Sequence, residues 1–404
     1  MTDCRPSLDS MRPFNSDRLV CIMERTLNLI DLRLVNHGKR VAYSLFKALY
    51  PLQLYTDEEL RDICILGLLH DVGAYKTEDV NAIIGFEQEN AWDHSIYGYL
   101  FLKYFSPINK LSPAVAFHHA DDSRMISLSK EIRMFAHLLK DHDRADILRH
   151  ADTGFMPLHD ITIDEDEEFS RVYRNTPFTT DEAESFLRMI VFSIDFRSPQ
   201  TMLHTFAASH VAESLAKLIH LDINQINRLK FGALIHDIGK MGTPLHILEG
   251  TSEKLSESDM IIMRKHVVLS EVVLQGCVDE DILNIAINHH EKLNGKGYPK
   301  NLVEADLPLL DRIMAVADTF SAMCVSRKYQ QALPKDKVVE ILNRMKDRGL
   351  FERKIIELAV DNYDFITKHL DINTKSIISL HEDIASERRC IHNKIANGNF
   401  DIIN

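Results

Sequence analysis

His236-Asp237-Ile238-Gly239-Lys240 is followed in the chain by His289-His290-Glu291 and then by Gly297-Tyr298-Pro299. Imidazole nitrogens, a carboxylate able to bridge and a glycine-hinged loop are the parts that a dinuclear metal hydrolase acting on phosphate requires. Imidazole and carboxylate together suit Fe, Mn, Zn or Ni. The flanking His204, His266 and Asp318 bring the candidate ligands to seven: His204, His236, Asp237, His266, His289, His290 and Asp318. A single histidine on an apolar helix face is most often a satisfied core residue. The ordered series His, His-Asp, His, His-His, Asp offers enough donors for two metals sharing Asp237.

Helices must carry these groups. Leu215, Leu218 and Ile219 recur at helical spacing, as do Ile226, Leu229, Ala233 and Leu234, and no run alternates as a strand does. A helix ending at His236-Asp237 offers both side chains to one cavity, because adjacent residues splay about 100° apart. Lys240, one turn past Asp237, is placed to meet a non-bridging phosphate oxygen as a point charge; its bland alternative is a solvated surface lysine. In the loop that follows, Gly295 and Gly297 permit close backbone approach and Pro299 restrains the chain. Tyr298 either offers a face to a nucleobase or packs the loop.

The strings GALIHDIGKMGTP, HHEKLNGKGYP and RIMAVADTFSAMCVSRKY resemble the HD-GYP family, a subgroup of the HD superfamily of metal-dependent phosphohydrolases. The likeness runs from about Thr180 to about Tyr363, a little under half the chain. It implies an all-α fold and hydrolysis of a cyclic dinucleotide, cyclic di-GMP or 3′,3′-cGAMP, to a linear dinucleotide. The nucleophile so implied is a hydroxide bridging two divalent ions (Fe, Mn or similar) about 3.5–4 Å apart. In the family pattern His204, His236 and Asp318 complete the first metal site, and His266, His289 and His290 the second. Arg327, nine residues after Asp318, matches a position that contacts the base, where an arginine binds guanine O6 and N7 bidentately. The pattern is departed from at Gln200, where some members carry a glutamate for a third metal, so two metals are expected. Gln330 is neutral where some members have a basic residue near the base pocket.

The N-terminal half repeats the plan more faintly. His37 precedes His70-Asp71 by 33 residues, as His204 precedes His236-Asp237 by 32. LGLLHDVGAYKTE echoes GALIHDIGKMGTP, His94 stands for His266, His118-His119 for His289-His290, and Asp141 or Asp143 for Asp318. Ala74 replaces the lysine after the HDxG string, and no GYP loop follows His118-His119. Two HD-type helical bundles in tandem are therefore expected: a degenerate, regulatory domain over 1–163, an acidic linker over 164–179, a catalytic domain over 180–370 and a helical tail over 371–404. Thr180-Asp181 is read as the cap of an apolar helix through Ile194. The tail is read as a helix packing on the body or in a homodimer.

Apolar content of 45% and charged content of 26% are those of a soluble globular protein. A net charge of −13 excludes a broad basic face for nucleic-acid polymer or anionic membrane. Six scattered cysteines without a CxxC pair read as reduced thiols in a bacterial cytoplasm. No apolar run approaches the roughly 18 residues of a membrane span. Two other functions remain open on the residues: an HD phosphohydrolase of nucleotides such as (p)ppGpp or dNTPs, against which the GYP loop argues, and a non-catalytic scaffold or sensor, against which the full ligand set argues.

Overall fold

A computed structural model describes residues 16–29, 35–74, 91–151, 163, 165–196, 199–248, 250, 255–325 and 332–402. Every regular element among them is helical, and the one β-type pairing is the isolated bridge between Asn294 and Val303. The chain forms two compact units, Met1–Ser193 with Asp383–Asn404, and Ile194–Glu382.

Each unit starts its histidine–aspartate helix with the same device. In the first, the Thr56 hydroxyl accepts the N–H of Glu59 and the Glu59 carboxylate accepts the N–H of Thr56, opening the helix Asp57–Leu69. In the second, Asp222 accepts the N–H groups of Asn224 and Gln225, while the Gln225 side chain accepts the N–H of Asp222, opening Ile223–Ile235. Such reciprocal caps satisfy donors that a helix start leaves orphaned. Both helices run 13 residues and end where His70 and His236 follow. A fixed start thus fixes where each His-Asp pair emerges.

The core of the second unit lies where Ala208, Val211, Ala212 and Leu215 of Pro199–Leu218 meet Leu229 and Ala233 on one side and Ile313, Ala317 and Phe320 of Leu309–Cys324 on the other. Small residues at the contact let the three helices approach closely. Leu229 is fully buried, so Leu229→Ala costs about 2–5 kcal/mol through lost burial and the cavity left behind. The first and third of these helices carry His204 and Asp318, and His236 follows the end of the second.

Several boundaries differ from the sequence expectation. The acidic run is not a bare linker: Asp166 accepts the N–H of Phe169 and caps a helix, Glu167–Tyr173, whose Phe169, Val172 and Tyr173 are buried. Apolar residues at helical spacing outweigh the acidic ones that precede them. The helix read as capped by Thr180-Asp181 runs Thr180–Phe196, and its reciprocal cap is formed one residue earlier, by Thr179 with Glu182. The C-terminal segment is no separate element but the end of a single helix, Tyr363–Ala396. Within the first unit that end is held by Glu387 against Lys103 and Tyr104 and by Arg388 against Asp93. Arg327 and Gln330 lie outside the described residues.

Candidate metal centre

The seven candidate ligands of the second unit converge. His204 comes from Pro199–Leu218, His266 from Glu257–Leu274 and Asp318 from Leu309–Cys324, while His236-Asp237 and His289-His290 follow the ends of Ile223–Ile235 and Glu280–Ile287. Asp237 is central. Its Oδ2 lies 3.1 Å from His236 Nε2 and 4.0 Å from His204 Nε2, and its Oδ1 lies 3.3 Å from His266 Nε2 and 4.0 Å from His289 Nε2. His204 Nε2 stands 2.9 Å from Asp318 Oδ1, and His290 Nδ1 stands 3.6 Å from Asp318 Oδ2. Two ligand atoms each about 2.1 Å from one ion at a tetrahedral angle are about 3.4 Å apart, so these separations are those of shared coordination.

A second layer of contacts aims the rings. The Nδ1–H groups of His236, His266 and His289 donate to the carbonyls of Ala233, Met263 and Ala286 at 2.6–2.7 Å. His204 Nδ1–H faces Ser321 Oγ at 3.2 Å, and that hydroxyl donates to the Asp318 carbonyl. These bonds fix the tautomer and turn each Nε2 lone pair inward. Ser270 joins two elements, accepting the N–H of Gly239 and donating to the His236 carbonyl. Gly239 itself must be glycine: a Cβ there would lie 2.1 Å from the His266 carbonyl oxygen. Lys240 bends back to pair with Asp237.

The donor set fits a metal pair. His236 Nε2 and Asp237 Oδ1 are buried without a hydrogen-bond partner, and such orphaned groups are costly unless an ion satisfies them. Burial pushes His266 down to about 4, against the pull of Asp237, and His290 down to about 3, which favours the neutral, ligating imidazole. Burial opposes an ionised Asp237, but His236 and Lys240 outweigh it and hold the carboxyl well below the usual range. The groups fall into the sets His204, His236, Asp318 and His266, His289, His290, with Asp237 between.

The loop covers one side. His290 is the most exposed of the seven, its side chain 26% accessible where the others are at 9% or below. Tyr298 lies over it with ring centroids 4.7 Å apart, and Arg264 stands over the tyrosine. Glu291 is the residue whose role sequence reasoning missed. It is buried and its carboxylate accepts the N–H groups of Lys300 and Leu302, closing the Gly-Tyr-Pro loop on the histidine pair. An acidic residue directly after the two histidines was the available signal. For Gln200, which lies in Pro199–Leu218, only the backbone is described.

Residues 186–355 match the HD domain family. The chain is 25% identical over 387 residues, 84% of its own length and 89% of the relative's, to a protein of Vibrio cholerae named 3′3′-cGAMP-specific phosphodiesterase 1. The chain is thus homologous to a 3′3′-cGAMP-specific phosphodiesterase and carries an HD domain over residues 186–355. A 32% identity over 174 residues relates the C-terminal part to the cyclic di-GMP phosphodiesterase response regulator RpfG of Xanthomonas campestris pv. campestris, covering 42% of this chain and 46% of that one. The crystal structure of a cyclic GMP-AMP specific phosphodiesterase of V. cholerae, V-cGAP3, superposes with a TM-score of 0.52 over 87% of this chain and 98% of that one at 16% identity, a likeness of fold. Among the described residues no helix is long and apolar enough to cross a membrane.

Proposed function

We propose that the chain is a metal-dependent phosphodiesterase that opens a cyclic dinucleotide to its linear form. The observation that carries this reading is the convergence of His204, His236, Asp237, His266, His289, His290 and Asp318 under a Gly-Tyr-Pro loop fastened by Glu291. When bound, a pair of divalent ions supplies charge for the phosphate oxygens and acidifies a water, lowering its pKa from about 15.7 toward 7. The residues do the rest. Asp237 is held ionised to lie between the two ligand sets, and its partner Lys240 carries a charge that can turn to a non-bridging phosphate oxygen. The reaction adds one water across a P–O3′ bond: phosphorus keeps the new oxygen, and the freed 3′-oxygen leaves with a proton. No side-chain nucleophile is required, since stabilising charge is the main need of phosphoryl chemistry.

3′,3′-cGAMP is the first substrate of choice, because the relative matched along most of its length bears that specificity in its name. The catalytic role belongs to the second unit, with Lys240, Gly297, Tyr298 and Pro299 facing the substrate and Arg327 assigned to it by the family resemblance. Two ions, Fe, Mn or similar, complete it. Thiols outside any disulfide at Cys64 and Cys390 accord with work in a reducing bacterial cytoplasm. The test is turnover of 3′,3′-cGAMP and of cyclic di-GMP by Mn²⁺-loaded and Fe²⁺-loaded protein, with products separated by chromatography. Higher kcat/KM on 3′,3′-cGAMP supports the choice of substrate; higher kcat/KM on cyclic di-GMP overturns that choice and leaves the reaction class standing. Turnover of neither overturns both.

A further inference from the structure

The first unit brings together a second set of donors that the reaction above does not use. His37 Nε2 lies 3.1 Å from Asp143 Oδ1 and 3.8 Å from Asp71 Oδ2, and His70 Nε2 lies 3.4 Å from Asp71 Oδ2. On the other oxygen of Asp71, His94 Nε2 stands at 3.7 Å and His118 Nε2 at 3.8 Å, while His119 Nε2 approaches His94 Nε2 at 3.1 Å. Asp143, not Asp141, is thereby the counterpart of Asp318. These separations again bracket the roughly 3.4 Å between two ligands of one tetrahedral ion.

Burial adds a separate observation. His70 Nε2, His118 Nε2 and both carboxylate oxygens of Asp71 are buried without a hydrogen-bond partner. In the catalytic unit Lys240 pairs with the bridging aspartate; at the matching position here stands Ala74, fully buried. The rings of His37, His70 and His118 are nonetheless aimed inward as in the catalytic unit. The Nδ1–H groups of His70 and His118 donate to the carbonyls of Gly67 and Val115 at 2.7 and 2.6 Å. That of His37 donates at 2.8 Å to Asp146, which Arg40 grips with two nitrogens, and Asp146 stands where Ser321 serves His204. A metal-ligating histidine backed by a carboxylate is the more basic ligand.

We propose that this unit holds its own pair of divalent transition-metal ions in His37, His70, Asp71, His94, His118, His119 and Asp143, as a permanent centre that binds and does not turn over. It lacks the lysine, and Ala120, in the place of Glu291, has no carboxylate to hold a loop beside the histidine pair as Glu291 does. The ions tie together helices His37–Leu49, Asp57–Leu69, Ala91–Phe105, Ser112–Phe117 and Lys130–Ala151.

Metal content per chain, measured by inductively coupled plasma mass spectrometry on full-length protein, tests this with melting temperature as a second readout. Wild type is expected to hold about four ions, and Asp71→Asn and His94→Ala each about two, with a lower Tm. Wild-type content in both variants, shown folded by circular dichroism, overturns the proposal. If those variants do not fold, the doubly substituted Asp237→Asn, Asp318→Asn protein carries the test. It is expected to retain about two ions, and a metal-free protein overturns the N-terminal centre whatever the catalytic site does. Because the two centres are removed by different substitutions, failure of one assignment is read separately from failure of the other.

Discussion

The Glu291 carboxylate accepts the main-chain N–H of Lys300 at 2.6 Å, and its second oxygen accepts that of Leu302 at 3.0 Å. One buried side chain next to the ligand pair thus sets the position of the loop that would cover a bound nucleotide. Charge-assisted hydrogen bonds of this kind are worth about 1.5–3 kcal/mol each. Glu291→Ala is expected to raise KM for the cyclic dinucleotide by about tenfold or more while leaving metal content unchanged. Steady-state kinetics with metal analysis checks this; loss of metal with unchanged KM in the remaining loaded enzyme would assign Glu291 to the ligands instead.

Gly297 is held against the same residue. A Cβ built there would stand 2.4 Å from Glu291 Cα and 2.5 Å from the Lys292 nitrogen, both backbone atoms that cannot swing away. Gly297→Ala must therefore push the loop outward. Its kinetic signature should match that of Glu291→Ala, and the double variant should be less than additive because both act on one contact.

Lys240 pairs with the carboxylate that both ligand sets share. Lys240→Met is expected to lower kcat by about 10²–10³-fold, the usual cost of one preorganised charge aimed at a transition state, with metal content retained. Unchanged kcat would reduce the lysine to a structural partner of Asp237.

Asp311 gives a pH prediction on stability. Burial raises its carboxyl from 3.8 to about 6, against the hydrogen bond that Asn288 donates to it at 2.7 Å. A folded-state value above the unfolded one means that the fold favours the protonated form. The associated stability is present below about pH 4 and is lost as pH rises through about 6, to a limit of about 3 kcal/mol. Asp311→Asn should remove that loss, raising Tm at pH 7–8 relative to wild type and flattening Tm between pH 4 and 6. A parallel pair of Tm curves would show that Asp311 titrates normally.

Much of this site was legible in the sequence because metal chemistry restricts residue type. Histidine and aspartate in the order seen from His204 to Asp318 have few other reasons to recur, and their repetition from His37 to His119 marks a duplication. What the sequence hid depends on direction and on partners distant in the chain. Asp141 and Asp143 differ only in the face of the helix Lys130–Ala151 they occupy, and only packing selects Asp143. Ser270 and Ser321 lie a helical turn from His266 and Asp318, yet a serine has too many ordinary uses to be singled out by type. The acidic run before Phe169 reads as solvated until the buried Phe169, Val172 and Tyr173 are seen to hold their helix in place.

The proposed function requires Asp237 to join two ligand sets into one hydrolytic centre. Mn²⁺-loaded wild type and Asp237→Asn, both checked for folding by circular dichroism, should be incubated with 3′,3′-cGAMP and cyclic di-GMP and the products followed by chromatography. A linear dinucleotide is expected from wild type, and from Asp237→Asn a loss of turnover of about 10³-fold or more together with lost metal. Undiminished turnover by a folded Asp237→Asn protein would contradict it.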